Sequence, residues 1–554
     1  MSPEKWEAPQ PEHPSISSDE EARPKEEIET PLRGPSPEPE LNDVDREAPQ
    51  GALAKTVSLE KQVSLSREIL VVGLIVLAQF TTQVGLGQLL SIIHVIGDSF
   101  GITDPGVLSW LIAGYSLTVG TFILFTGRLG DIFGWKKMLI IGYVWFAVWS
   151  LVAGLSVYSN HVLFIFARVL QGIGPAICLP NALALLGGLY STGKRKNMAF
   201  AVFGACAPGG SIVGAAMAGV FALAWWPWTF WSISITLFII AIVAAWAIPD
   251  PQDHKPGIKG AGMMGGIAEL DFFGAIIGVL ALVLFNFSWN QAPIVGWQEP
   301  YIIVTLILGV LLVPVFFYYE IKIAEHPLLP FDVFTSSNGF VLACVACGWA
   351  NFGIWVYYFW QILLVLRGAS PLLASAYLSP IPVSGGIAAI VTGLVLHKLR
   401  PAWVMVIALC CFLTGVILVA TLDPLQIYWG QIFVTCLVAP FGMDMSFPSA
   451  TIVVSDSVKK EHQGVAASLV NTIVNYSISL GLGFAGTVEV HVNNGGATWE
   501  DTLKGYRGAL YMGIGLAGLG VFIAICFVSN SYWDDRKASK RQAQEQNGEP
   551  ERKA

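Results

Sequence analysis

Gly127-Arg128-Leu129-Gly130-Asp131-Ile132-Phe133-Gly134-Trp135-Lys136-Lys137 joins two apolar runs, residues 107–127 and 137–157. Each run is long enough to cross a bilayer as a helix. Glycines at 127, 130 and 134 let two helix ends approach and reverse direction within a few residues. Asp131 can face a base or a helix N-terminus. Lys136 and Lys137 close the turn and mark it as a cytoplasmic loop between membrane spans. Outward from this turn the same alternation repeats. Apolar runs of about 20 residues recur fourteen times between residues 69 and 529, with nearly all charges between them.

Composition agrees with that layout. Only 13% of the 554 residues are charged and 54% are hydrophobic, against roughly a quarter charged in a water-soluble domain. Of the 39 acidic residues, 16 lie before residue 69, in a stretch rich in Pro, Glu and Ser. Residues 1–66 are therefore expected to be a disordered tail, with no cleaved signal peptide. The net charge of −8 comes mostly from that tail and does not suggest nucleic-acid binding. All eight cysteines lie inside apolar runs, where cysteine acts as a small hydrophobe. No metal set, cofactor motif or catalytic constellation appears, so neither an enzyme nor a cofactor is expected.

Basic residues fix the count and the orientation. With the N-terminus inside, the inner loops hold thirteen Lys and Arg and the outer loops only Arg367, Lys504 and Arg507. One missed span would scramble this bias. Both termini are therefore expected in the cytoplasm. A faint repeat relates Leu179-Pro180-Asn181-Ala182, followed by Lys194-Arg195-Lys196, to Phe447-Pro448-Ser449-Ala450, followed by Lys459-Lys460. It divides the chain into six-helix halves at 67–250 and 333–530, an extra helix pair within 251–332, and a C-terminal tail at 531–554. Repeated halves imply a transporter with its site between them.

The loop at Gly127–Lys137 resembles the signature loop of the major facilitator superfamily, with Ile132 and Trp135 replacing two basic residues of the pattern. Arg168-Val-Leu-Gln171-Gly172-Ile-Gly174 resembles a motif of proton-linked drug exporters. Trp110-Leu-Ile-Ala-Gly-Tyr115 resembles one of the fourteen-helix drug:proton antiporters. Gly204-Ala-Cys-Ala-Pro208-Gly209-Gly210, with Gly214, resembles their helix-five antiporter motif, altered at Ala207. Taken together, residues 67–530 are similar to fungal aminotriazole-resistance-like exporters. The resemblance implies an all-α membrane fold of two six-helix bundles plus an extra pair. It also implies proton-driven export of a small amphipathic compound by alternating access.

Arg168 is the only Lys or Arg well inside a span, and Asp444 the only acid. Intramembrane charges mark function by default, so these two are the proton-coupling candidates. Gln83 stands in helix one where relatives carry an acid. It can bind substrate but cannot take up a proton. Gln83, Tyr115, Asn351, Trp355, Asn471 and Asn475 are the substrate-contact candidates. Gly127, Asp131, Gly134, Lys136 and Lys137 are the gate, and Gly204, Pro208, Gly209, Gly210 and Gly214 the helix-five hinge. Glu489 is expected on a solvated rim. The partners expected are a small-molecule substrate, protons and the lipid bilayer, with a monomer as the unit and no nucleic acid. The cell membrane is the expected location, the vacuolar membrane the alternative. The missing helix-one acid keeps open an importer or facilitator of a small polar solute such as ammonium, borate or a nutrient. A non-transporting receptor on the same fold is the alternative of another class.

Overall fold

The computed structural model describes residues 64–102, 104–190, 194–249, 271–324, 327–329, 333, 335–396, 398–458 and 463–546. The acidic tail and the loop bearing Lys255 and Lys259 lie outside these residues, as do Lys459 and Lys460. Among those described there are helices and turns but no strand. Fourteen helices are long and apolar enough to span a membrane, as the sequence predicts. They are α1 Leu65–Phe100, α2 Pro105–Phe133, α3 Trp135–Tyr158, α4 His161–Leu189, α5 Met198–Ala222, α6 Trp228–Ala247, α7 Phe272–Val295, α8 Pro300–Lys322, α9 Ser336–Leu366, α10 Pro371–Leu396, α11 Pro401–Ala420, α12 Gln431–Asp456, α13 Val465–Val492 and α14 Trp499–Trp533. The last continues as helix to Gln546, through residues the sequence reads as tail.

Local chemistry sets the helix ends. Asp104, Asn160, Asp271, Thr335 and Ser370 each accept a hydrogen bond from a main-chain N–H in the first turn of the helix that follows, satisfying donors the helix cannot. Two interruptions lie beside prolines, while α1 is kinked at Ile92 without one. Helix α4 breaks at Gly172, between Gln171 and Ile173, because Pro175 has no N–H for the Gln171 carbonyl. A turn at Leu378 and Ser379 precedes Pro380 in α10. Helix α12 stays continuous across Pro440 and Pro448.

The packing repeats. In the first half α1 lies on α5, α2 on α4 and α3 on α6. In the second, α9 lies on α13, α10 on α12 and α11 on α14. The halves meet along two seams, α2 with α13 and α5 with α10. Helix α7 leans on the first seam, against both α2 and α13, and α8 leans on α7. Only 11% of the apolar window of α8 is buried, against 78% for α2, so α8 presents its apolar surface to lipid.

We call the face where α1 begins the basic face, since it carries Lys136, Arg195, Lys398 and Arg400, and the other the far face. The seams differ in how far they close. The α2–α13 seam is packed from Ala113, whose carbonyl accepts from the Ser479 hydroxyl at 3.0 Å, to Gly127 beside Ser468. The α5–α10 seam is tight toward the far face, where Gly219 abuts the Leu372 main chain. Nearer the basic face, nothing stands within 4 Å of a side chain built at Gly204 or Gly393. His94 of α1 and Gln361 of α9 hydrogen-bond across the halves near the far face.

Candidate transport site

The close packing of α1 on α5 comes from small residues. A Cβ on Gly210 would run into the Phe80 carbonyl, and one on Gly214 would meet the Val84 carbonyl at 2.6 Å. Without side chains the two backbones approach, the usual basis of helix contact in lipid. These two hinge candidates are therefore packing positions, while Gly204 and Gly209 face open space. Pro208 sits opposite Gly385 of α10, where an added Cβ would lie 2.7 Å from the Pro208 ring and 2.9 Å from Asp444 Oδ2. Gln83 borders the same stretch from the other side, its Cβ beside Gly210. The structure thus brings Gln83, Pro208, Gly210 and Asp444 together around the middle of α5.

Asp444 Oδ2 is out of solvent and has no hydrogen-bond partner. The nearby hydroxyls go elsewhere. Ser446 donates to the Met443 carbonyl at 3.2 Å, Ser384 to Leu437 at 2.6 Å, and Thr392 to the Asp444 main chain at 3.2 Å. Asp444 therefore neither caps a broken helix nor pairs with a serine. An unpaired polar atom in a low-dielectric setting costs about 1–3 kcal/mol, so this carboxyl is poised to take a proton or a ligand.

Arg168 is the opposite case. It is completely buried, and three of its nitrogens are engaged. Nε donates to the Leu111 carbonyl at 3.3 Å, Nη2 to the Gly85 carbonyl at 2.9 Å, and Nη1 to Gln171 Oε1. Its guanidinium lies 4.5 Å from the centre of the Tyr115 ring, within cation–π range. Gln171 in turn donates to Ser150 at 2.6 Å. Arg168 does not snorkel to the surface. It ties α4 to α1, α2 and α3 inside the first half, and no contact links it to Asp444.

Three substrate-contact candidates sit inside a bundle rather than on an open face. Tyr115 donates to the Thr82 carbonyl at 2.9 Å and packs on Phe146. Asn351 reaches the Phe412 carbonyl of α11 at 3.4 Å and lies against Gly513 of α14. Trp355 is buried with its indole nitrogen unpartnered, between Phe352 and Phe359. The half-buried stripe of α9 is instead Trp349, Phe352 and Val356. On α13, Asn471 and Asn475 each donate to the carbonyl one turn back, and Asn475 is half-buried. Gln83 is also half-buried, and no hydrogen bond fixes it.

At the basic face Gly134 has φ 104°, a conformation that favours glycine. Gly127 sits 3.4 Å, measured from a built Cβ, from both Pro180 of α4 and Ser468 of α13, so the turn touches both halves. Trp135, standing where the resembled pattern has a base, donates its indole N–H to Asp131 at 2.9 Å. The acid thus gains a local donor where a charge is missing. Lys136 and Lys137 follow in the first turn of α3.

Several polar contacts are not evident from sequence. Glu489, expected on a solvated rim, is buried and accepts from Tyr358 at 2.7 Å. Glu68 accepts from Tyr190 at 2.8 Å and from Arg195 at 2.7 Å, tying the basic-face ends of α1, α4 and α5. On the first seam Asn286 Oδ1 of α7 accepts from Ser479 at 2.9 Å and from Asn290 at 2.8 Å. Trp110 donates to Gln291 at 3.0 Å. Helix α7 is thereby pegged to both halves at once.

Comparison with known proteins fits this architecture. A low affinity ammonium transporter of Saccharomyces cerevisiae is 51% identical over 480 residues, 86% of this chain and 92% of that protein. Efflux pump terJ of Aspergillus terreus is 45% identical over 478 residues, 86% and 91% of the two chains. The aminotriazole resistance protein of S. cerevisiae is 39% identical over 480 residues, 85% and 86%. The family profile described as Major Facilitator Superfamily matches residues 75–482, and with the fourteen spans and the two repeated halves it establishes that this multi-pass membrane protein belongs to that superfamily of transporters.

Proposed function

We propose that the chain exports a small amphipathic organic compound in exchange for protons. It would do so by rocking its halves about the α5–α10 and α2–α13 seams, in the cell membrane with both termini in the cytoplasm. One observation carries this reading: an unpartnered carboxyl oxygen, Asp444 Oδ2, lies halfway along α12 where α5 of one half meets α10 and α12 of the other. A proton arriving from an acidic outer side neutralises it, and release to the cytoplasmic side resets it. The two charge states favour different packings of the Pro208–Gly385 contact, so protonation biases the equilibrium between states. Substrate would touch Gln83, Asn475 and the Trp349–Phe352 stripe. Arg168 acts as a scaffold for the first half. The similarity to an efflux pump and to an aminotriazole resistance protein supports the outward direction.

In proteoliposomes, an imposed pH gradient should drive accumulation of an amphipathic organic test compound against its own gradient. Equilibration that ignores the pH gradient would overturn proton coupling. A second reading, entry or equilibration of a small polar solute, is favoured by the 51% similarity to a low affinity ammonium transporter. Ammonium flux measured in the same vesicles, with and without the pH gradient, separates the two.

A further inference from the structure

The far face carries few bases, and the structure explains only one of them fully. Arg367 donates to the Pro424 and Gln426 carbonyls, both at 2.8 Å, and lies over the Tyr377 ring. Arg507 has a single bond, to the Leu422 carbonyl at 3.3 Å, and its Nε is buried without a partner. Lys504, exposed, makes no hydrogen bond or ion pair among the described residues, and neither does Glu500 one turn before it. These three residues line one cavity of about 780 Å³ between α13 and α14, whose walls include Val488, Tyr511 and Met512. That volume suits a ligand of several hundred daltons.

The order of groups along α14 is informative. The helix descends from the far face in the sequence Glu500, Lys504, Arg507, Tyr511, Met512. At 1.5 Å per residue, Lys504 lies ~6 Å below Glu500, Arg507 ~4.5 Å further and Tyr511 ~6 Å further still. An acid is outermost, two bases come next, then a phenol and apolar walls. A zwitterionic phospholipid presents the complementary series from water inward: amine, phosphate, glycerol ester, acyl chain. Tyr511 is 57% exposed, which places this groove on the outer surface of the second half, where lipid reaches it.

We infer that the α13–α14 groove is a binding site for a single zwitterionic phospholipid, its amine at Glu500 and its phosphate at Lys504 and Arg507. A phosphate held by Arg and Lys gains charge-assisted bonds. Arg507 makes a single hydrogen bond among the described residues, so its guanidinium keeps donors for that phosphate. The site stands apart from the proposed transport site and does not depend on that reading.

Native mass spectrometry tests it. The full chain would be delipidated in detergent and exposed to micelles holding equal amounts of dioleoyl-phosphatidylethanolamine and dioleoyl-phosphatidylglycerol. Wild type should retain one phospholipid that the double variant Lys504→Ala/Arg507→Ala does not. Glu500→Gln should keep the count but shift the choice toward phosphatidylglycerol by about threefold, the scale of one exposed ion pair. Val488→Trp, which fills the apolar wall without changing charge, should also shed the lipid. Equal retention by wild type and the double variant would overturn the site. An unchanged headgroup preference in Glu500→Gln would overturn the placement of the amine. Displacement of the bound lipid by millimolar free phosphorylethanolamine would show a soluble-ion site instead.

Discussion

Arg168 and Asp444 occupy matching helices of the two halves, α4 and α12, each upstream of the proline of the repeated motif. Their surroundings differ completely. The cation is enclosed by Gly85, Leu111, Gln171 and the Tyr115 ring. The acid presents an oxygen with no partner beside Pro208 and Gly385. A saturated charge is fixed in one packing, because any movement loses bonds in a medium that offers no replacement. An unsaturated one has different energies in different packings. The difference teaches that two charges within the membrane can have opposite surroundings, one saturated by its own bundle and one left without a partner. The first half uses its charge to hold four helices together. The second leaves its acid unpartnered at the α5–α10 seam.

The comparison can be broken by changing each member. Arg168→Lys keeps the charge but replaces a planar fork with a point donor that cannot reach three oxygens at once. Loss of two charge-assisted bonds should destabilise the protein by about 3 kcal/mol, read as a lowered melting temperature in detergent. Transport per folded molecule should stay near wild type. Unchanged stability together with lost transport would reverse the assignment and make Arg168 the coupling residue. Asp444→Asn keeps shape and removes the proton site. Gradient-driven accumulation should fall on the order of 100-fold, the upper range of coupling between two ligands, while exchange of labelled for unlabelled compound survives. Gly385→Ala leaves the carboxyl but crowds it and Pro208. A loss of about tenfold, corresponding to 1.4 kcal/mol, is expected in the rate of counterflow.

The sequence legibly announces the spans, the glycine turn and the isolation of Asp444, since lipid forbids charge within a span unless something requires it. It does not say which way Tyr115, Asn351 and Trp355 face. Helices apolar all round carry no stripe to distinguish bundle from cavity, and only the packing of α9 separates Trp355 from Trp349. Glu489 misleads for a related reason: nearness to a helix end does not mean exposure when Tyr358 covers it. Trp135 reads as a defect in the loop pattern because its indole N–H, aimed at Asp131, is invisible without coordinates. The pegs on α7 escape notice because Asn286 and Asn290 belong to the helix pair outside the internal repeat.

Those pegs lie between the two extremes. Asn286 Oδ1 is doubly used, yet its own Nδ2 and the Asn290 Oδ1 have no partner. A half-satisfied cluster spanning α2, α7 and α13 adds little to stability, and under the rocking proposed above it would have to break or slide. Interhelical hydrogen bonds in membranes average about 0.6 kcal/mol, so Asn286→Ala should lower stability by no more than about 1 kcal/mol. If the peg restrains the first seam, the same change should speed opening and raise the exchange rate two- to threefold, roughly the Boltzmann factor of one such bond. Ser479→Ala should act in the same direction, and the double variant should fall short of the sum of the two. The Asn286–Ser479 bond is common to both changes, while the Ser479–Ala113 and Asn290–Asn286 bonds are not. Additive effects would mean that α7 holds the seam by shape alone and that the hydrogen bonds are incidental to its motion.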